Sequence, residues 1–128
     1  MGFIDHINLR IPEERVQQAV EFYREILGFD TWKLTDYRNG ERTSFFFKIG
    51  ENSLLNIRPS EKFERPERKN YDHFCLVVDR NIDELKENLE KEDINILREG
   101  EPLGSKGRAK AVYVEDPFGY VIELKGLN

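Results

Sequence analysis

Asp5-His6-Ile7-Asn8-Leu9-Arg10-Ile11 decides how this chain is read. Asp72-His73-Phe74-Cys75-Leu76-Val77-Val78 repeats its opening dipeptide and its apolar drive 67 residues later. The same offset joins Leu54-Leu55-Asn56-Ile57-Arg58 to Tyr120-Val121-Ile122-Glu123-Leu124-Lys125, so that Asn56 corresponds to Glu123. Internal repeats take precedence over any local reading, because each copy predicts the structure of the other. The chain is therefore read as two copies of one module, with its only two histidines at equivalent places.

Working outward, the first stretch alternates. In a strand Phe3, Asp5, Ile7, Leu9 and Ile11 face one side and Ile4, His6, Asn8 and Arg10 the other. The first set reads as core, and the second as the lining of a polar cavity. Pro12, Glu13 and Glu14 suit the first turn of a helix, where proline is tolerated and acids oppose the dipole. Val16, Ala19, Val20, Tyr23 and Ile26/Leu27 give its buried stripe, and Gly28 ends it. Strands are predicted over Thr31–Tyr37 and Arg42–Ile49, with Asn39-Gly40 as the hairpin turn between them, and then over Leu54–Arg58. This first module covers residues 1–58. Charged and proline-bearing, residues 59–70 read as a linker. The second module, 71–128, repeats the order: a strand at Phe74–Val78, then a helix begun by Asn81 with Glu84 as a capping box. Further strands are predicted from Ile94, at Ala111–Glu115 and at Tyr120–Lys125. Arg98–Arg108, with three glycines and a proline, reads as an active-site flap or a plain hairpin loop. The fold class expected is α+β, with two β-α-β-β-β modules.

Composition narrows the function. The 128 residues suffice for one domain with a real core. Charged residues make up 35% of the chain, yet the net charge is only −5, and Lys and Arg are spread along it, which argues against a nucleic-acid surface. No apolar run approaches a membrane span and no signal-peptide pattern is present. The single cysteine cannot form an internal disulfide, which points to a reducing cytoplasm.

If the modules are related by a pseudo-twofold axis, equivalent strands face one cleft, and His6, His73, Asn56 and Glu123 converge there. Two imidazoles and one carboxylate are the facial-triad set for a divalent ion (manganese, iron, zinc, nickel or cobalt) with positions left for substrate. Glu123 strengthens this reading, since an acid inside an apolar strand is costly unless paired or bound to a cation. Arg10 shares parity with His6, Arg58 with Asn56 and Lys125 with Glu123, so three cations are candidates to receive an anionic substrate. Asn8 and Asn56 are further substrate-binding candidates. Tyr113, the repeat mate of Phe46, is a candidate general base beside Glu123. Cys75 reads as a small core residue.

The residues His6, Phe22-Tyr23-x-x-Ile26-Leu27-Gly28-Phe29, His73 and Tyr113-x-x-Asp116-Pro117-x-Gly119-x-x-Ile122-Glu123 resemble the vicinal oxygen chelate superfamily. That group includes glyoxalase I, methylmalonyl-CoA epimerase, fosfomycin-resistance thiol transferases, extradiol dioxygenases and the bleomycin-resistance proteins. The resemblance covers almost the whole chain. It implies paired modules forming a U-shaped mixed-sheet cleft, usually in a homodimer, and a metal that chelates vicinal oxygens of a small-molecule substrate. Its metal ligands map onto His6, His73 and Glu123. Glyoxalase I uses an acid where this chain has Asn56, so a three-ligand site is favoured. The last part of the chain also resembles a branch of glyoxalase-like proteins labelled virulence-associated, which implies no settled substrate.

The shared device is a Lewis-acidic metal that stabilises an oxyanion or enolate. A glyoxalase-like lyase, isomerase or transferase is thus expected. Extradiol cleavage is an alternative, weakened because both histidines are taken as ligands. A metal-free protein that sequesters a small molecule is the alternative of another class, and it has no need of all three ligand residues.

Overall fold

In each half of the chain the first strand is also the parallel partner of the last. A computed structural model describes residues 1–127, in which Met1–Glu64 form one compact unit and the chain from Arg65 onward another. In the first unit β1 (His6–Pro12) pairs parallel with β4 (Ser53–Ser60), which is antiparallel to β3 (Phe45–Ile49), itself antiparallel to β2 (Thr31–Trp32). The second unit repeats the pattern. There β5 (Phe74–Val78) is parallel to β10 (Val121–Gly126), followed by β9 (Ala111–Glu115) and β6 (Ile96–Gly100). Two four-stranded mixed sheets with flanking helices make the fold α+β, as expected.

The register carries the repeat to single residues. Asn56 stands between Asn8 on β1 and Phe46 on β3. Glu123 stands between Cys75 on β5 and Tyr113 on β9. Every member of the second trio lies 67 residues after its counterpart in the first.

Alternation along β1 is as read: Leu9 and Ile11 are buried while His6, Asn8 and Arg10 are exposed on the other face. The helix after β1 starts with a tight turn at Glu13–Arg15, passes through one α-helical turn, α1 (Val16–Ala19), and widens at Val20–Ile26. There the N–H of Leu27 reaches the carbonyl of Phe22, the five-residue spacing of a wider helix. Gly28 ends it with φ of +90°, a conformation that favours glycine. Ala19, Val20, Tyr23 and Leu27 are buried, and Tyr23 lies against Phe47 with ring centres 5.2 Å apart.

The hairpin around Asn39-Gly40 is not formed. After the two residues of β2, Lys33 takes a left-handed φ of 67° and the chain enters the short helix α2 (Leu34–Arg38). Asn39-Gly40 closes this helix. Gly40 has φ of +78°, its N–H donates to the Tyr37 carbonyl at 3.0 Å, and the Glu41 N–H donates to the Asp36 carbonyl at 2.9 Å. These are the two bonds of a Schellman end, which needs the same positive φ as a hairpin turn. Packing explains the choice. Leu34 is buried, and the Tyr37 ring one helical turn later meets Phe45 at 5.6 Å. The next strand consequently starts at Phe45 rather than Arg42, while Pro59 and Ser60, expected in the linker, continue β4.

In the second unit α3 (Ile82–Lys91) begins as predicted, the Asn81 side chain accepting from the Glu84 N–H at 3.0 Å. Its Ile82, Leu85 and Leu89 are buried together with Val112, Val114, Ile122 and Leu124 of the sheet. β6 begins at Ile96, two residues later than predicted, and its register slips between Ile96 and Arg98 so that Arg98 opposes Tyr113. Leu103–Gly104 (β7) and Gly107–Arg108 (β8) then form a small separate hairpin. Among the described residues no helix is long and apolar enough to cross a membrane.

The turn before β10 is held by Asp116. Its buried Oδ1 accepts from the N–H groups of Phe118 and Tyr120, each at 2.9 Å, and Gly119 supplies a φ of +96°. This turn sets the register that delivers Glu123.

Candidate functional site

Glu123 occupies the middle of β10, with Ile122 and Leu124 beside it pointing into the core. Its own side chain faces the other side of the sheet, yet the residue is only 6% exposed. A carboxylate so enclosed requires partners, and three converge on it. Nε2 of His73 lies 3.1 Å from Oε1. The phenol of Tyr113 and the thiol of Cys75, its register neighbours on either side, lie near enough that the carboxylate holds both groups toward their protonated forms.

His73 is oriented from behind. Its Nδ1 makes a short contact with Oδ2 of Asp72. With Nδ1 held by that carboxylate, Nε2 faces Glu123, where a shared proton or a cation between the two would satisfy both. The first unit has the same arrangement, with Nδ1 of His6 lying 2.7 Å from Oδ2 of Asp5. The repeated Asp-His dipeptide was therefore a signal for two orienting acids as well as for two imidazoles.

Tyr113 lies opposite Glu123 in the register. Burial, and then the adjacent Glu123, raise its phenol above the ordinary tyrosine value. The shift favours the protonated phenol, a hydrogen-bond donor. The edge of the His73 ring meets it at 5.1 Å between centres, and the Arg98 guanidinium lies 3.9 Å from its ring centre. Arg98 was not anticipated, because only the slip in β6 aims it at this face.

Cys75, read as core, instead shares the face of Glu123 and is exposed along part of its side chain. Parity with His73 decides this, since successive residues of a strand point to opposite faces. Desolvation around its sulfur, then the charge of Glu123, push the thiol up to about 12, so it is not a nucleophile at neutral pH.

In the first unit the Nδ2 of Asn56 donates to Oδ1 of Asn8 at 2.7 Å, while the buried Oδ1 of Asn56 has no hydrogen-bond partner among the described residues. That acceptor suits a donor group of a ligand or a water molecule. Arg10 and Arg58, neighbours in the parallel register one pair further along, are both exposed on this face.

Lys125 is buried on the same side of its sheet as Glu123. Its Nζ donates to the carbonyls of Pro102 at 2.9 Å and Gly107 at 2.7 Å. Two of its three donors are thus committed to the chain's own backbone rather than open to substrate. Beneath the hairpin it holds lies a cavity of about 240 Å³, lined among others by Glu123, Lys125, Cys75, Val77 and Leu103.

The second unit therefore brings His73 and Glu123 together with Tyr113, Cys75 and Arg98, and the first brings Asn8 and Asn56 together. His6 belongs to the first unit, and among the described residues no group of three or more His, Cys, Asp or Glu side chains is arranged to hold a metal ion. An imidazole nitrogen 3.1 Å from a buried carboxylate oxygen fits two positions in the shell of a divalent transition ion.

Comparison with known proteins agrees with this frame. The family model for the Glyoxalase/Bleomycin resistance protein/Dioxygenase superfamily matches residues 3–124. The chain is 30% identical over 123 residues to a lactoylglutathione lyase of Neisseria meningitidis, covering 93% of this chain and 86% of the relative. It is 27% identical over 128 residues to virulence protein STM3117 of Salmonella typhimurium, covering 94% of this chain and 81% of that one. Among solved structures, a glyoxalase family protein from Bacillus anthracis superposes with a TM-score of 0.72 at 27% identity, covering 100% of this chain and 97% of the other.

Proposed function

The chain belongs to the Glyoxalase/Bleomycin resistance protein/Dioxygenase superfamily, and on that premise we propose that it is a glyoxalase-like, divalent-metal-dependent enzyme. It acts as a lyase, isomerase or transferase on a small oxygenated, anionic substrate held through two adjacent oxygens. The observation that carries this reading is the approach of His73 Nε2 to Glu123 Oε1 at 3.1 Å, with Nδ1 anchored by Asp72. The lactoylglutathione lyases related to the chain along most of its length support it.

His6, His73 and Glu123 would hold the ion. When bound, the ion would polarise the substrate's oxygens and stabilise negative charge that develops on them. The residues of the chain divide the remaining work. Asp72 and Asp5 fix the imidazole orientations. Tyr113, kept neutral, donates a hydrogen bond or proton at the Glu123 carboxylate. Arg98, Arg10 and Arg58 offer guanidinium groups to an anionic substituent. Asn56 leaves the position of a fourth acidic ligand neutral, which favours three protein ligands. We place the enzyme in the cytoplasm as a homodimer, the usual assembly implied by its resemblance to the vicinal oxygen chelate enzymes.

The test is metal content by elemental analysis, on untagged protein and on the His6→Ala and Glu123→Ala variants. About one equivalent of a divalent transition metal per chain is expected, and both variants should lose it. Protein that takes up no metal after titration with manganese, iron(II), nickel and zinc would overturn the proposal in favour of a sequestering protein.

A further inference from the structure

Lys125 is the buried cation that the chemistry above leaves without a part. It sits on β10 two residues after Glu123, on the same face, and is 6% exposed. An ammonium in such a place needs acceptors for its protons. It finds none among the acids of the sheet. Its partners among the described residues are backbone carbonyls on the two arms of one hairpin: Pro102, just before β7, and Gly107, the first residue of β8. Gly104 records how closely the hairpin approaches, since a Cβ there would lie 2.5 Å from the Lys125 Nζ.

Arg108 Nη1 also closes the hairpin, donating to the Glu101 carbonyl at 3.1 Å. β7 and β8 are two residues each, pair only with one another, and leave Leu103 72% exposed. A two-stranded ribbon of this size is not stable by itself. Between it and the sheet lies the cavity of about 240 Å³, whose apolar wall is Val77, Leu103, Ala109 and Leu127 and whose lining also includes Glu123.

We propose that Lys125 is a positioning residue that ties the Leu103–Arg108 hairpin over this cavity, and that the cavity receives a small apolar substituent of the substrate next to its chelated oxygens. The inference rests on the reading of Glu123 as a metal ligand and adds a substrate class to it: a compact oxygenated compound carrying a short aliphatic group. A pocket of this volume is below the usual range for whole drug-sized ligands, so it takes a side group and not the body of a large conjugate.

Lys125→Met keeps the length of the side chain and removes its donors. Gly104→Ala leaves Lys125 in place but sets a methyl group against its Nζ, which a flexible side chain can evade at little cost to the fold. In both variants the backbone amides of the hairpin are expected to exchange with deuterium at least roughly tenfold faster, with exchange in α3 and β9 unchanged. The second arm titrates manganese-loaded protein with glycolate, 2-hydroxybutanoate and 2-hydroxyhexanoate. Wild type should bind about fourfold tighter per added methylene, and the variants should keep glycolate affinity while losing that gain. Loss of stability alone would not produce this split. Hairpin exchange equal to wild type in both variants would overturn the assignment of Lys125, and a wild type without the chain-length gain would overturn the assignment of the cavity. Protein that binds none of manganese, iron(II), nickel and zinc defeats the metalloenzyme reading instead, and exchange still decides whether Lys125 holds the hairpin.

Discussion

Nε2 of His73 and Oε1 of Glu123 stand 3.1 Å apart, joining the residue that precedes β5 to the centre of β10. The contact spans 50 positions of sequence and depends on the parallel pairing of those two strands, which sets Glu123 opposite Cys75. Replacing Glu123 by Gln preserves its shape but removes the charge a cation needs. Manganese affinity, measured by titration calorimetry, should fall more than the roughly hundredfold seen when an outer partner of a metal site is lost. An unchanged affinity would remove Glu123 from the ligand set.

Asp72 touches the far nitrogen of the same imidazole and would not itself bind the ion. Asp72→Asn should weaken metal binding by about tenfold to a hundredfold, while the thermal midpoint stays near that of wild type because the residue is exposed. Metal affinity equal to wild type would show that His73 is oriented without it.

Tyr71 secures the entry to β5 by donating its phenol proton to the Val121 carbonyl at 2.6 Å. Its pKa is raised well above the ordinary 10.0, chiefly by burial. The neutral phenol is favoured in the fold, so its stabilisation is complete below about pH 10 and is lost as pH rises beyond that value. Tyr71→Phe should cost about 1 kcal/mol at neutral pH in urea unfolding, and should lessen the decline of stability above pH 10. A variant with the same alkaline decline as wild type would show that other groups cause it.

Asp116 ties the turn that delivers Glu123, accepting from two N–H groups inside the protein. Asp116→Ala leaves both donors unpaired and should destabilise the protein by roughly 2–3 kcal/mol. The loss would appear as a lower midpoint in chemical unfolding. A shift within experimental error would mean that the turn is held by its backbone bonds alone.

Much of this architecture follows from the sequence by itself, because a period of two assigns each strand residue to a face. The offset between His6 and His73 and between Asn56 and Glu123 indicated which residues occupy equivalent places. The register bears out the equivalence of Asn56 and Glu123 within each sheet. Alternation likewise placed His6, Asn8 and Arg10 opposite the core. Asn39-Gly40 was legible only as a place where φ turns positive. Whether that ends a helix or joins two strands depended on Leu34 and Tyr37 packing against distant residues, which local propensity does not encode. The state of each site residue was likewise decided by tertiary structure. The Tyr113 phenol is raised because it is buried beside Glu123, Arg98 reaches it because β6 slips, and Lys125 is committed to carbonyls 18 and 23 positions away. Local pattern names the face a side chain occupies, whereas its partners and its charge depend on chain segments brought near only by folding.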